Sequence, residues 1–408
     1  MKIGIDIRVL MDKQYSGISE YTANLLSVIL RRNEDAVAPD DYVLFYNSFH
    51  DLSSRLDKWS GAHARVIATR WPNKIFNYLL QKTLAWPKID KVLGGVDLFW
   101  SPHFNFTRLS SAPIGPKKII TVHDLSFLRY PEFFSGRKNF WHRALSIKKT
   151  LRAADKIIAI SENTKNDLIE LIGIAPEKIK VIYSGNNYSV KINNSAEDRK
   201  NNGTVVEEIK DDIKNKIKDE IRDIADGRFI LYLGNIEPRK NVDGLIKAYD
   251  RLRSDDRSGR FKDLKLVIAG AKAWKNRAAY LAQKKSSYCN DIKFLGYVSQ
   301  KDKEILMASA VVFCYPSFYE GFGFPPLEAM SAGTPVVCSN VSSLPEVVGD
   351  AALTVNPFKI EEIVEALRLV LSDEKLRQKL IERGHRQAAL FSWDKAAGEY
   401  LELFQKLK

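Results

Sequence analysis

Apolar residues fall along this chain in two rhythms. Short unbroken apolar runs at residues 2–10, 42–46, 96–100, 118–122, 156–160 and 178–183 predict buried strands. Between most of them apolar residues return at helical spacing, most clearly Tyr21, Leu25, Leu26, Ile29 and Leu30. A second series of strands follows at 228–233, 264–269, 292–294, 311–315 and 335–338. Strands alternating with helices predict the α/β class, with a parallel sheet in each half and helices on both faces. Residues 186–204, polar and rich in Asn, separate the two series as a linker. The expected domains are therefore 1–185, 186–390 and a C-terminal helix within 391–408. Val206, Ile209, Ile213, Ile217, Ile221 and Ile224 recur by threes and fours, which predicts one amphipathic helix with a solvated charged face. Near the end, Ser392 predicts the N-cap of a helix whose Trp393, Ala396, Ala397, Tyr400, Leu401 and Phe404 share one side.

Length agrees with this division, because 408 residues suit two domains of roughly 200 residues each. The net charge of +13 adds an anionic partner: nucleic acid, an anionic membrane surface or a phosphorylated substrate. No zinc-finger spacing, RNP-type aromatic motif or basic low-complexity tail accompanies it, so nucleic acid is not expected. Residues 70–86 and 135–149 mix Lys and Arg with Trp and Phe, as do helices lying on an anionic lipid surface and ordinary helices that pack on the sheet with a basic solvated face; the overall positive charge favours the lipid surface. No run approaches the ~18 apolar residues of a membrane span, and Asp6 and Arg8 interrupt the apolar start. The expectation is a cytoplasmic protein, peripheral on the inner face of the cell membrane. Cys289, Cys314 and Cys338 have no metal spacing and are expected to be reduced core residues.

Ligands of parallel sheets bind beyond the carboxyl ends of the strands. In the first half that singles out Gly17, His123-Asp124 and Ser161-Glu162; in the second, Gly234 with Arg239 and Lys240, the turn at 296–299 containing Val298, and the stretch from Tyr315. That stretch, Tyr315-Pro-Ser-Phe-Tyr-Glu-Gly-Phe-Gly-Phe-Pro-Pro-Leu-Glu-Ala-Met-Ser-Ala-Gly-Thr-Pro-Val-Val337, carries the densest chemistry. Gly321 and Gly323 allow a close backbone approach, and Pro325-Pro326 suit the first turn of a helix beginning near Leu327. Such a helix N-terminus favours a phosphate, while Glu320 and Glu328 accept hydrogen bonds from hydroxyls. Adjacent cations at the Arg239-Lys240 turn suit a diphosphate. A ligand both anionic and rich in hydroxyls is a nucleotide-sugar. His50, His63, His103, His142 and His385 lack such company and read as surface or packing residues.

Glu320 and Glu328, separated by seven intervening residues and followed by Ala-Met-Ser-Ala-Gly-Thr-Pro-Val-Val, resemble the glutamate signature of retaining GT-B glycosyltransferases of the family 4 type. The resemblance implies two Rossmann-like domains with parallel sheets facing a central cleft, and a C-terminal helix that crosses back to the N-terminal domain. It implies that Gly17 passes near the donor and acceptor, with Ser16 replacing the first of a usual glycine pair. It also implies that His123 meets the donor sugar, that Arg239 and Lys240 with the N–H groups of Phe322 and Gly323 meet the diphosphate, and that backbone near Val298 cradles the base. Glu320 then positions sugar hydroxyls and Glu328 the ribose. The chain has no Asp-x-Asp, so no metal or other cofactor is expected. The opening residues look like those of bacterial mannosyltransferases of surface polysaccharide assembly, which implies GDP-mannose as donor and a glycan or lipid-linked oligosaccharide as acceptor. A UDP-sugar donor, a GT-B-like phosphorylase or epimerase, and a silent nucleotide-sugar sensor are the alternatives.

Overall fold

A computed structural model describes residues 1–11, 16–81, 87–111, 114–134, 136, 146–186 and 219–408. The chain divides into two compact units: Met1–Pro131, Gly136–Gly185 and Phe391–Lys408 form the first, Glu132–Ser135 and Asn186–Leu390 the second.

The first unit is built on seven strands: β1 (Lys2–Asp6), β2 (Asp41–Asn47), β3 (Ala64–Thr69), β4 (Leu98–Ser101), β5 (Lys117–Val122), β6 (Lys156–Ala159) and β7 (Ile179–Val181). They pair in the order β3-β2-β1-β4-β5-β6-β7, every pair parallel, with Ile3 beside both Tyr42 and Leu98. Ile3, Ile5, Phe99 and Trp100 are fully buried, as a sheet covered on both faces requires. β1 stops at Asp6, short of the run predicted to residue 10. The Asp6 carboxylate accepts the Arg8 backbone N–H at 3.1 Å and Nε at 2.9 Å, which bends the chain out of the sheet into a 3₁₀ turn, Arg8–Met11. β3 was not predicted, because at this sheet edge its apolar residues are few and Arg65 interrupts them. The C-terminal helix, Trp393–Lys406, belongs to this unit, as the resemblance implied. Its Tyr400 hydroxyl bonds those of Tyr21 (2.7 Å) and Thr121 (2.6 Å), and the Trp100 indole N–H donates to Thr121 at 3.0 Å.

The second unit carries β8 (Phe229–Leu233), β9 (Lys265–Ala269), β10 (Ile292–Gly296), β11 (Val312–Tyr315), β12 (Val336–Ser339) and β13 (Ala352–Val355). Their order, β10-β9-β8-β11-β12-β13, repeats the doubly wound arrangement, again wholly parallel. β13 is a short, half-buried edge strand and carried no readable signal. The helix Val242–Ser254 packs on Ile360–Ser372. Cys314 and Cys338 lie in adjacent core strands, where burial pushes the Cys338 thiol up to about 12. Cys289 is half-buried and outside the core, contrary to expectation, because it opens an exposed 3₁₀ turn.

Of the amphipathic helix expected over 206–224, the described part is Asp219–Ala225, with Ile221 and Ile224 buried; the rest, His142, and most of the 186–204 linker lie outside the described residues. The basic aromatic segments are described as the helices Asn73–Gln81, near which Trp71 and Ile75 are exposed, and Ile147–Arg152; residues 82–86 and 137–145 lie outside. Among the described residues no helix is long and apolar enough to cross a membrane.

Candidate active site

In a doubly wound sheet the ligand crevice opens where strand order reverses. In the second unit that is between β8 and β11, and the residues following these two strands carry the chemistry. After β8 the chain turns at Gly234, whose φ of 152° is glycine territory; a Cβ there would stand 3.1 Å from the Tyr232 hydroxyl. A 3₁₀ turn, Pro238–Lys240, then delivers the two cations, and Asn241 at φ 54° starts the next helix. At the end of β11, Tyr315 stacks on Tyr232, and the loop beyond it runs to Gly323, at φ 116°. A Cβ on Gly323 would lie 2.7 Å from a Leu344 methyl, so sterics as well as φ demand glycine. The helix that follows is Phe324–Ser331, three residues earlier than expected, with proline in its first turn.

These turns bring Arg239, Lys240 and Glu320 into one cluster. Lys240 Nζ donates to Glu320 Oε1 at 2.6 Å and to the Tyr315 hydroxyl at 2.5 Å. Arg239 donates to Glu320 Oε2 (3.1 Å), to the Tyr319 carbonyl (2.6 Å) and to Glu237 Oε1 (2.8 Å). Burial alone would raise the Glu320 carboxyl, but the charges of Lys240 and Arg239 outweigh it and hold it at about 2. The backbone is fixed as firmly: the Glu320 N–H donates to Ser342 Oγ at 2.9 Å, and Ser343 Oγ donates to the carbonyls of Glu320 (3.0 Å) and Phe322 (2.8 Å). Ser342 holds φ at 57°, a conformation costly for a residue with a Cβ and found where surroundings over-determine it. Phe322 itself is buried against Phe324. Glu328 stands apart from this cluster, paired with Lys303 at 2.9 Å. Val298 is half-buried between β10 and the helix Gln300–Ser309.

The first unit has its own reversal, between β1 and β4. His123 follows β5 and meets the carbonyl of Pro102, which follows β4, at 2.8 Å. A carbonyl only accepts, so Nε2 carries the proton and Nδ1 keeps a lone pair for a hydroxyl. Burial holds the ring down at about 4, neutral at physiological pH, and the Tyr21 ring sits edge-on to it at 4.8 Å. His103, read as a surface or packing residue, is half-buried and packs beside Asp6 and Arg8, with desolvation holding it at about 4 and Nδ1 unpartnered among the described residues. Gly17 begins the helix Gly17–Glu34; it is exposed, and an added Cβ would meet nothing within 4 Å. Ser16 caps that helix, its Oγ accepting the Ser19 N–H at 3.3 Å, which accounts for a serine beside the glycine. Ser161 is likewise an N-cap, bonded to the Thr164 N–H at 3.0 Å.

Glu237, Tyr315, Ser342, Ser343 and Lys303 were not anticipated. Glu237 had a local signal, an acid two residues before Arg239, whereas Lys303 lies 25 residues from its partner and had none.

Two doubly wound α/β units with cations and carboxylates at a strand-order reversal define a nucleotide-handling class. Residues 17–189 match the glycosyltransferase family 4 model and residues 213–387 the glycosyl transferases group 1 model. The chain belongs to the GT-B glycosyltransferases with this pair of domains. It is 29% identical to the O-antigen chain mannosyltransferase B of Escherichia coli over 96% of both chains. It is 32% identical to the serotype-specific mannosyltransferase WbdA of Escherichia coli over 71% of this chain and 34% of that one. The sucrose-phosphate synthase of Thermosynechococcus elongatus has the same fold, at a TM-score of 0.71 and 18% identity, covering 100% of this chain and 98% of the other.

Proposed function

We propose that the protein transfers mannose from GDP-mannose, with retention at the anomeric carbon and without a metal, to a glycan or lipid-linked oligosaccharide in O-antigen or related surface polysaccharide assembly. The observation that carries this reading is the Arg239–Lys240–Glu320 cluster at the reversal of the second sheet. As the sugar–phosphate bond lengthens, negative charge gathers on the departing diphosphate. Arg239, Lys240 and the N–H groups of Phe322 and Gly323 meet it, the part a metal plays in other transferases. Glu320, held ionised by its two cations, accepts from hydroxyls of the donor sugar, and His123 accepts one near the reacting carbon through Nδ1. Glu328 accepts from the ribose, and backbone around Val298 meets the base. Gly17 leaves room for the acceptor, whose proton passes to the departing phosphate. The full-length similarity to an O-antigen chain mannosyltransferase supports mannose as the sugar. The net charge of +13 supports an anionic membrane surface as the place of work.

The test is turnover with GDP-mannose, UDP-glucose and ADP-glucose on a mannose-terminated lipid acceptor in the presence of a chelator, with the product's anomeric configuration read by NMR. Transfer from GDP-mannose alone, giving an α-mannoside, is expected. Turnover that needs a divalent cation, an inverted product, or a preference for another donor would each remove the corresponding part of the proposal.

A further inference from the structure

Lys303, on the helix Gln300–Ser309, has a side chain only 11% exposed, and its Nζ donates to Oε1 of Glu328, 4% exposed, at 2.9 Å. Stability is a poor reason for such a pair. Taking a lysine and a carboxylate out of water costs more than their attraction readily returns, and apolar side chains of the same volume fill a core at least as well. A buried pair is better explained by the orientation it imposes. The helix bearing Lys303 opens with a reciprocal cap: Ser299 Oγ accepts the Asp302 N–H at 3.2 Å, and the Asp302 carboxylate accepts the Ser299 N–H at 3.3 Å. Its start is thereby fixed to the 296–299 turn. Lys303 thus joins the turn assigned to the base with the glutamate assigned to the ribose.

We infer that Lys303 is a positioning residue for the donor's ribose: by holding one oxygen of Glu328, it sets the plane of that carboxylate so that it can accept from the ribose diol. This rests on the donor-site reading of Glu328. An ionised carboxylate only accepts, and two oxygens with about four lone-pair sites can serve a lysine and a diol together, provided the group does not rotate. The lysine supplies the restraint from a helix other than the one that carries the glutamate.

Calorimetric titration of GDP against 2′-deoxy-GDP, and of UDP against 2′-deoxy-UDP, tests this on wild type, Lys303→Met, Lys303→Arg and Glu328→Ala. Wild type is expected to prefer the ribonucleotide of one pair by ~10-fold or more, the worth of one hydrogen bond to a charged acceptor. Lys303→Met should bring that ratio close to one and raise the donor KM with kcat little changed, and Lys303→Arg should keep part of the ratio. If the ratio is lost in Glu328→Ala but intact in a folded Lys303→Met, the inference falls and the donor-site reading stands. If it is intact in Glu328→Ala, Glu328 does not hold the ribose and both fall. Should Lys303→Met not fold, Lys303→Gln replaces it with the same two outcomes.

Discussion

Arg239 donates to Glu320, Glu237 and the Tyr319 carbonyl at once, so it is held in place before any ligand arrives. A preorganised cation aimed at a leaving diphosphate acts mainly in the transition state. Arg239→Ala should therefore lower kcat by ~10²–10³, the range for removing one such donor, while changing donor affinity less; equal losses in steady-state kcat and in affinity would contradict that. Two half-buried histidines give a second prediction. His103 and His123 ordinarily titrate at 6.5 but are held at about 4 by burial. Between those values the unfolded chain binds protons that the folded protein does not, so stability falls as pH drops from 6.5 toward 4. Glu320, depressed from 4.5 to about 2, adds its own loss only below 4.5. Urea unfolding across the upper window should show a slope that His103→Gln reduces by about one proton. At this scale Arg239, Lys240 and Glu320 were legible, because each lies in a turn just beyond a strand. Their mutual pairing was not, since neither Glu237 nor the Ser342 and Ser343 hydroxyls belong to any motif.

Strands in the core of each sheet were legible from apolar runs, as were the edge strands β7 and β10, whereas the edge strands β3 and β13 were not. An edge strand is half-solvated and needs no continuous apolar sequence. The start of the helix Phe324–Ser331 was misplaced by three residues because its boundary is set by Gly323, whose φ of 116° and close approach to Leu344, from another element, are features of the fold rather than of the local sequence. Gly323→Ala should accordingly lower the thermal midpoint and weaken nucleotide binding together, where Gly17→Ala, meeting nothing within 4 Å, should leave the midpoint unchanged. The C-terminal helix was legible from its spacing, but its polar seam was not. Tyr21, Thr121 and Tyr400 close a buried chain of hydroxyls. Tyr400→Phe should remove the hydroxyl that both Tyr21 and Thr121 bond and cost about 1–3 kcal/mol in chemical unfolding, of which the double variant with Tyr21→Phe should recover a part.

For the whole molecule, α/β class and the doubling of a parallel sheet followed from alternation along the chain, and both sheets have the doubly wound order that places ligands at a reversal. What alternation could not supply was strand order, which depends on crossovers that sequence spacing does not encode. It is that order which puts the turns after β8 and β11 side by side and so assembles the cluster from residues about 80 apart. The central claim is that this assembly holds the nucleoside diphosphate of the donor. It is tested most directly by the thermal midpoint of the protein against GDP, UDP, ADP and their sugar conjugates, in wild type, Arg239→Ala and Glu328→Ala. A ligand that binds only the folded state raises the midpoint by mass action. The account predicts a rise with GDP and GDP-mannose that both variants diminish; a rise of equal size in wild type and both variants would contradict it.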